Sequence, residues 1–303
     1  MKAFAPGIYP RSEALVQATR DLDRGRTTEE AVEEQVDRDF RELVGVQEQV
    51  GLDLVSDGML RWQDHFRLLA EAADGLDARP LTRFLDTNTF YRALLVEGEP
   101  RLRTPLPAPD LPAGRWLATL PSPYALSRAA DGRAAAKGLA ANVLAPQIEA
   151  WSNAGCALVV LSEPFLARTG DAGEALAALA ELPASVPLAL QLVFGDASRV
   201  LDDLADAPVS AVGVDFYSTS LEAVPEDYPR EVFAGVVDAR SSALEDVGEI
   251  GRFAEQLEER NPAGIALVPN GDLQFVPEAI ARQKLACLGR ARAARAEAGE
   301  VRA

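Results

Sequence analysis

The chain contains few of the residues that most often build metal and thiol chemistry. Its 303 residues include two cysteines, Cys156 and Cys287, and a single histidine, His65. Two cysteines do not make a disulfide framework. Cys156 comes just before a run that reads as a strand and Cys287 lies inside the last predicted helix, so neither is placed as a nucleophile. Neither is expected to meet His65 around a metal ion, and the sequence predicts no metal site.

Lysine is also scarce, and negative charge dominates. The three lysines are Lys2, Lys137 and Lys284, and none follows a predicted strand, which argues against a Schiff-base aldolase. The formal charge of −17 argues against nucleic acid or an anionic membrane as a partner, because both would repel the chain. No apolar run approaches the ~20 residues of a bilayer-spanning helix, and no glycine-rich phosphate loop is present. We expect a cytoplasmic protein with a small-molecule substrate; a homo-oligomer or a partner subunit is left open.

Eight short apolar runs organise the chain, and most are followed by a helix-like segment. Runs without polar alternation are typical of parallel strands that are covered on both faces. Eight such strands interleaved with helices predict an α/β fold, a (β/α)8 TIM barrel, as one domain over residues 1–303. The runs are Ala3–Ile8, Leu52–Ser56, Arg115–Thr119, Ala157–Leu161, Leu188–Val193, Ala211–Val214, Val232–Val237 and Gly264–Val268.

One long stretch interrupts the alternation of strands and helices. The segment Asp77–Pro112 is rich in proline and arginine and lies between the second and third predicted strands. It predicts an inserted hairpin and loop, and loops of this length in a compact domain are often functional.

Polar side chains follow most of the apolar runs. Chemistry in this architecture is placed where the strands end, so these side chains are the candidate site. The predicted catalytic acids and bases are Asp57, Glu163 and Asp215. The predicted substrate-binding residues, two of them in the insertion, are Arg11, Arg61, Tyr91, Arg92, Tyr124, Gln191, Tyr217, Asp238 and Asn270. For any one of them a turn or a helix cap is the alternative interpretation.

Three of the candidate residues carry a specific alternative. Glu163 directly follows a strand, where it is either a general base or a partner of the next helix dipole. Arg92, beside Tyr91, either clamps a carboxylate or phosphate or forms a surface ion pair. His65 is either an acid–base group or a half-exposed packing residue, and the packing role is favoured.

An ordered series of motifs resembles the catalytic barrel of cobalamin-independent methionine synthase, whose superfamily includes uroporphyrinogen decarboxylase. The resemblance spans most of the chain and is carried by the series rather than by any one motif. The matching segments are Gly7–Arg11, Gly51–Gly58, Asn88–Gly98, Leu120–Tyr124, Ser162–Pro164, Ala234–Asp238 and Val268–Leu273.

The resemblance implies a methyl transfer from a folate to a thiolate that zinc activates. That family places His-x-Cys after the fifth strand, an acid after the sixth and Cys after the eighth. The matching positions here are Gln191 with Val193, then Asp215, then Gly271. Because soft tetrahedral zinc is held by thiolate and imidazole, only Asp215 remains as a ligand.

In that family, acidic residues bind the amine of homocysteine. The matching positions of this chain hold Met59 and Ser162, which are not acids. The barrel is therefore expected to be retained, while zinc-thiolate activation and amino-acid recognition are expected to be lost.

Three functions are consistent with these residues. The first is a zinc-independent methyl or one-carbon transferase, with methyl-tetrahydrofolate as a candidate co-substrate, no bound cofactor, and Tyr124 and Trp62 holding a flat donor. In it, Arg11 and Arg92 would anchor carboxylates. The second is a metal-free lyase or decarboxylase that relies on Arg11, Asp57 and Arg61. The third is a non-catalytic barrel that serves as a subunit for a partner.

Overall fold

The computed structural model describes residues 1–85, 89–130, 134–169 and 172–302. Within these described residues, nine strands form two separate sheets, one parallel and one antiparallel. The strands are β1 (Lys2–Ala3), β2 (Ala73–Arg83), β3 (Phe90–Leu102), β4 (Leu117–Pro121), β5 (Leu158–Glu163), β6 (Leu188–Leu192), β7 (Ala211–Asp215), β8 (Glu231–Val237) and β9 (Gly264–Pro269).

The larger sheet has seven parallel strands in the order β1-β9-β8-β7-β6-β5-β4. Because the first strand pairs with the last one, the sheet curls, and its concave face encloses an apolar core of its own. That inner core is made of alanines, valines, leucines and two phenylalanines from the strands and the residue after β1. Its members include Phe4, Leu117, Leu158, Val160, Ala189, Ala211, Phe233, Ala266 and Val268.

The second predicted strand, Leu52–Ser56, forms no regular strand. It makes a single parallel bridge, between Val55 and Trp116. Its backbone still bonds to both edges of the curled sheet: Asp53 N–H donates to Ala3 O at 2.9 Å and Val55 N–H to Arg115 O at 3.0 Å. The prediction of an eight-stranded barrel is thus confirmed in part, as an α/β fold with a curled seven-stranded half-barrel.

The buried side chain of Gln47 bonds the end of this segment. Its Nε2 donates to Ser56 O at 2.9 Å, and its Oε1 accepts from Ser56 N–H at 3.0 Å. An amide side chain therefore supplies the two bonds that a neighbouring strand would have made.

Helices follow most of the strands, and several begin at the polar side chain that the sequence places there. Ser12, Thr28, Ser122 and Asp246 each accept a hydrogen bond from the first turn of the helix that they cap. The helices are α1 (Glu13–Asp23), α2 (Glu29–Gln49), α3 (Arg67–Glu71), α4 (Pro123–Ala129), α5 (Ala136–Leu139), α6 (Ala145–Asn153), α7 (Leu166–Thr169), α8 (Gly173–Leu179), α9 (Leu201–Leu204), α10 (Val247–Glu259) and α11 (Glu278–Arg302).

Two of the connections between these elements are not regular α-helices. A π-helical turn over Ala140–Leu144 joins α5 to α6, and the connection from β7 to β8 contains only a 3₁₀ turn, Leu221–Ala223. Of the helices in the described part of the chain, none is both long enough and apolar enough to cross a membrane.

The insertion is a β-hairpin, as predicted. Strands β2 and β3 pair antiparallel and begin four residues before the predicted boundary. Asp64 ties the hairpin to the segment before α3, because its Oδ2 accepts from Arg92 N–H at 2.9 Å while its Oδ1 accepts from Phe66 and Arg67 N–H. Asn88 of the matching segment lies outside the described residues.

Replacing Gln47 by Ala should destabilise the fold by about 2–4 kcal/mol, because it leaves the buried N–H and C=O of Ser56 without partners. Urea unfolding measures the difference. The matched control is Gln49→Ala, an exposed glutamine near the end of the same helix, for which a change of less than about 0.5 kcal/mol is expected. Equal effects of the two substitutions would contradict this role of Gln47.

Candidate functional site

The amide of Asn270 joins three neighbouring strand ends. Its Nδ2 donates to Asp215 Oδ1 at 2.9 Å and lies 3.5 Å from Asp238 Oδ1, while its Oδ1 accepts from Ala239 N–H at 2.9 Å. Asp215 and Asn270 are buried. Asp215 also accepts from Tyr217 N–H and the Ser218 hydroxyl, so its carboxylate is held by three donors. This network, the mouth network, lies at the carboxyl end of the curled sheet.

Gln191 lies beside the mouth network on β6. Its Nε2 donates to the carbonyl of Pro269 at 2.9 Å, so it binds the residue that precedes Asn270. Gly213, its neighbour on β7, allows this approach, because a Cβ at that position would lie 2.8 Å from Gln191 Cγ. The structure therefore brings together Gln191, Asp215, Asp238 and Asn270, as the strand-end argument predicts.

Glu163 is fully buried, and its carboxylate accepts from three donors. Its Oε2 accepts from the Ser122 hydroxyl, and its Oε1 accepts from the N–H groups of Phe165 and Leu166 at 2.7 and 2.9 Å. The bonds from Phe165 and Leu166 make Glu163 a partner of the following helical turn, as in the alternative interpretation, and its acid–base role stays a prediction. Burial raises the pKa of Glu163, against the lowering effect of these hydrogen bonds, so a proton is retained to higher pH than in an ordinary glutamate.

Asp57 and Arg61 lie at a different place. Both line a lateral cavity of 540 Å³ between α2, α6 and the loop before β4, together with Trp62. Arg61 is exposed and pairs with Glu33 and Asp37 of α2 at 2.8 and 3.1 Å. Burial raises the pKa of Asp57, whose Oδ1 accepts from the N–H of Met59 at 2.9 Å.

The other two arginines differ in their partners. Arg92 is part of the hairpin, where its guanidinium donates to Arg79 O at 3.3 Å. Arg11 follows β1 and is half-buried, and no described carboxylate forms an ion pair with it. Burial lowers the pKa of Arg11, and the charge of Arg20 lowers it further, because both disfavour an additional positive charge there.

The three candidate tyrosines lie apart from one another. Tyr124 is buried under the guanidinium of Arg128, 4.7 Å from its ring centroid. Tyr91 packs edge-on against Phe66 with centroids 5.1 Å apart. Tyr217 is 51% exposed, and its hydroxyl lies 3.2 Å from Val236 O on the outer side of the sheet.

His65 is the residue that the sequence argument underestimated. The expectation of a half-exposed packing residue is wrong: the imidazole is buried, and its Nε2 lies 2.7 Å from Asp272 Oδ2. Asp272 Oδ1 accepts from Ile8 N–H, which fixes the carboxylate. No described residue partners the Nδ1 of His65. The signal in the sequence was Asp272 itself, an acid two residues after Asn270.

Burial lowers the pKa of His65, but the charge and hydrogen bond of Asp272, with the charge of Asp64, raise it more, so the pKa lies above its ordinary value. The pair is therefore charged at pH values where an ordinary histidine is neutral. The Nδ1 atom of this buried cation has no acceptor among the described residues, which leaves one of its two donors unsatisfied.

The donors at the mouth do not fit zinc. The positions that match the zinc ligands hold Gln191, Val193, Asp215 and Gly271, and no described group of three or more His, Cys, Asp and Glu side chains is arranged to hold a metal ion. An amide and one carboxylate are hard oxygen donors, whereas zinc sites in proteins rely on imidazole and thiolate.

The position of the fourth zinc ligand, Gly271, is also filled by packing. A Cβ at Gly271 would lie 2.4 Å from Phe194 Cζ and 2.9 Å from Val193 Cγ1. Phe194 is held there by Phe275, with ring centroids 5.2 Å apart, and by the guanidinium of Arg240, 4.6 Å from its centroid. A cysteine could therefore enter this position only if Phe194 moved.

The cysteines of the chain lie elsewhere. Cys156 precedes β5, at the opposite end of the sheet, and burial raises the pKa of its thiol to about 11. Cys287 lies inside α11. Both placements agree with the prediction that neither cysteine is a nucleophile.

Gly271→Cys should lower the free energy of unfolding by about 1–3 kcal/mol, because the new side chain overlaps Phe194. The control is Gly45→Cys on the exposed face of α2, where nothing lies within 4 Å of the added Cβ, and no loss is expected there. In the double variant Gly271→Cys/Phe194→Ala the two losses should be less than additive. An unchanged stability of Gly271→Cys would show that the position is open.

The single histidine allows a direct titration of His65 by NMR, since only one imidazole resonance is present. We expect a midpoint above about pH 6.5 in the wild type. In Asp272→Asn the midpoint should fall below this value, because burial remains while the opposing charge is removed.

The pair should also affect stability in a defined pH window. Because the folded-state pKa is raised, its contribution is complete below about pH 6.5 and is lost as the pH rises through the folded pKa. The stability difference between wild type and Asp272→Asn should therefore shrink towards alkaline pH. A wild-type midpoint at or below the ordinary value would refute the charged pair.

Comparisons with known proteins agree with the motif series. No family model matches the chain. It is 23% identical over 298 residues to a methionine synthase from Sulfolobus acidocaldarius, covering 92% of this chain and 87% of that protein. Its fold is similar to a B12-independent methionine synthase from Shewanella sp. W3-18-1, solved in complex with selenomethionine, with a TM-score of 0.79, 15% identity and 98% of each chain covered.

A second solved structure shows the same fold. It is a putative vitamin-B12 independent methionine synthase from Listeria monocytogenes, with a TM-score of 0.71, 17% identity, and 96% of this chain and 97% of that chain covered. The predicted resemblance is thus confirmed: the chain is a relative of the methionine synthases in sequence and has the fold of the cobalamin-independent ones.

Proposed function

We propose that the chain is a zinc-independent transferase that moves a methyl or related one-carbon group to a small substrate bearing a carboxylate, with a methyl-folate as the candidate donor. The similarity to methionine synthases over 92% of the chain indicates a methyltransferase. The observation that carries the zinc-independent form of the proposal is the donor set of the mouth network, an amide and carboxylates without imidazole or thiolate.

The bonds and protons of the proposed methyl transfer balance without a metal or a further reagent. The bond between the donor nitrogen and the methyl carbon breaks as the acceptor forms its bond to that carbon. The acceptor loses a proton, and the donor nitrogen gains one. In this proposal Asp215, oriented by Asn270, takes the proton of the acceptor. Glu163, whose pKa burial raises, is the candidate source of the proton for the donor.

Arg11 is the proposed anchor for the carboxylate of the acceptor. A half-buried guanidinium without a carboxylate partner among the described residues gains free energy when an anion pairs with it. Arg61 is less suited to this role, because Glu33 and Asp37 already neutralise its charge. The roles predicted for Asp57, Tyr91, Arg92 and Tyr124 stay predictions.

We further propose that residues 52–56 act as the eighth strand and close the barrel in the working protein. The bonds of this segment to Ala3 and Arg115 support this arrangement, since they reach both edges of the curled sheet. A closed barrel would keep water out of the inner core and leave the mouth as its open end.

The test is a methyl-transfer assay with radiolabelled 5-methyltetrahydrofolate and a panel of acceptors that includes homocysteine and other small thiol and amino carboxylates. We expect turnover with one acceptor class and the same rate after treatment with a zinc chelator. Asp215→Asn should lower kcat at least ~100-fold, because it removes a general base and keeps the shape of the side chain.

The matched control is Asp206→Asn, an exposed aspartate at the opposite end of the sheet, which should leave kcat unchanged. Melting temperatures of both variants separate lost chemistry from lost folding. Stoichiometric zinc that resists the chelator, or activity that disappears with it, would overturn the zinc-independent mechanism. Failure to bind methyl-folate in calorimetry would overturn the choice of donor.

A further inference from the structure

A second cavity lies beside the mouth network, in the layer between the sheet and α10, and Tyr217 and Asp238 belong to both. It has a volume of 420 Å³ and opens where the connection from β7 to β8 lacks a helix. Its walls come from the residues after β7, the loop after β8 and the first two turns of α10. The residues that matter here are Phe216, Tyr217, Leu244, Glu245, Ile250 and Phe253.

Glu245 is the polar group that makes this cavity unusual. Only 8% of its side chain is exposed. Its Oε1 accepts from Lys284 Nζ at 2.7 Å and from Asp238 N–H at 3.0 Å, and the hydroxyl of Tyr217 lies 3.4 Å away. Its Oε2 is buried, and no described residue donates to it. A buried carboxylate oxygen without a donor is costly, so a ligand that supplies one gains affinity.

The charges around the cavity select the sign of the ligand. Asp238, Asp246 and Glu249 line it together with Glu245, and no basic side chain is found among its described lining residues. Lys284, which is fully buried, pairs with Glu245, and Arg252 lies 4.0 Å from Glu249, so two of these four charges have a basic partner. The remaining field favours a cation and disfavours an anion.

The apolar walls select the body of the ligand. Phe216 and Phe253 are in contact, with ring centroids 4.7 Å apart and planes at 59°. Tyr217 and Leu244 are about half exposed, at 51% and 46%, so their apolar surfaces are open to a ligand. Aromatic faces attract an organic cation, and the volume of the cavity is in the range of small-molecule sites.

We propose that this cavity binds a small organic cation, a primary ammonium or amidinium group on an aromatic or aliphatic body. The charged group donates to Glu245 Oε2, and the body packs against Phe216 and Phe253. The groups that hold the cation differ from those of the proposed transferase chemistry, because Asp215 and Asn270 do not line this cavity, although Asp238 does.

The test compares three probes of similar size by calorimetry and by ligand-observed NMR. These are phenethylammonium, the neutral 2-phenylethanol and the anionic phenylacetate. We expect phenethylammonium to bind at least tenfold more tightly than 2-phenylethanol, and phenylacetate not to bind. Equal affinity for the three probes, or no binding of phenethylammonium to the wild type, would overturn the proposal.

Variants locate the binding site. In Glu245→Gln/Lys284→Met both members of the buried pair are replaced, so that no buried charge is left unpaired, and phenethylammonium should bind at least tenfold more weakly. Phe253→Leu tests the aromatic wall without touching the pair and should weaken binding several-fold. The control Glu48→Gln removes one exposed carboxylate elsewhere and should have no effect.

The variants also guard the test against misfolding. If the double variant does not fold, the Phe253→Leu variant and the comparison of probes still decide the question. Unchanged binding in Phe253→Leu, or unchanged binding in a folded Glu245→Gln/Lys284→Met, would place the cation elsewhere and refute the site.

Discussion

The need to satisfy buried polar groups at the carboxyl ends of the strands shapes this molecule. Asn270 meets that need at the centre, since its one amide group bonds Asp215, Asp238 and the N–H of Ala239. Carboxylates at this depth are costly without donors. Their positions therefore depend on the strands that carry the donors, and the conformation of the mouth depends on the register of β7, β8 and β9.

The sequence predicts the parallel strands well, because continuous apolar runs have few other uses in a chain of this composition. Seven of the eight runs overlap a strand of the curled sheet. The run Leu52–Ser56 does not, because it makes only isolated backbone bonds to the two edges of that sheet, while its last residue, Ser56, bonds the side chain of Gln47. Apolar patterning carries no information about such a bond, so the difference could not be found from the run itself.

The candidate site is predictable in its location but less so in its details. Strand ends meet at one edge, which is why Gln191, Asp215 and Asn270 were found together from their positions alone. The guanidinium of Arg61 bonds Glu33 and Asp37 of α2, which lie more than twenty residues earlier in the chain. The role of His65 depends on Asp272, a partner 207 residues away. Long-range pairs of this kind leave no local pattern.

The burial of Lys284 has a practical consequence for the study of motion. The other two lysines, Lys2 and Lys137, are exposed, whereas Lys284 has no accessible surface and donates to Ala243 O and Glu245. An acylating reagent thus reaches Lys284 only when α11 separates from the loop that carries Glu245. Its rate of labelling reports how often that outer layer opens, with two surface amines as internal standards for the reagent.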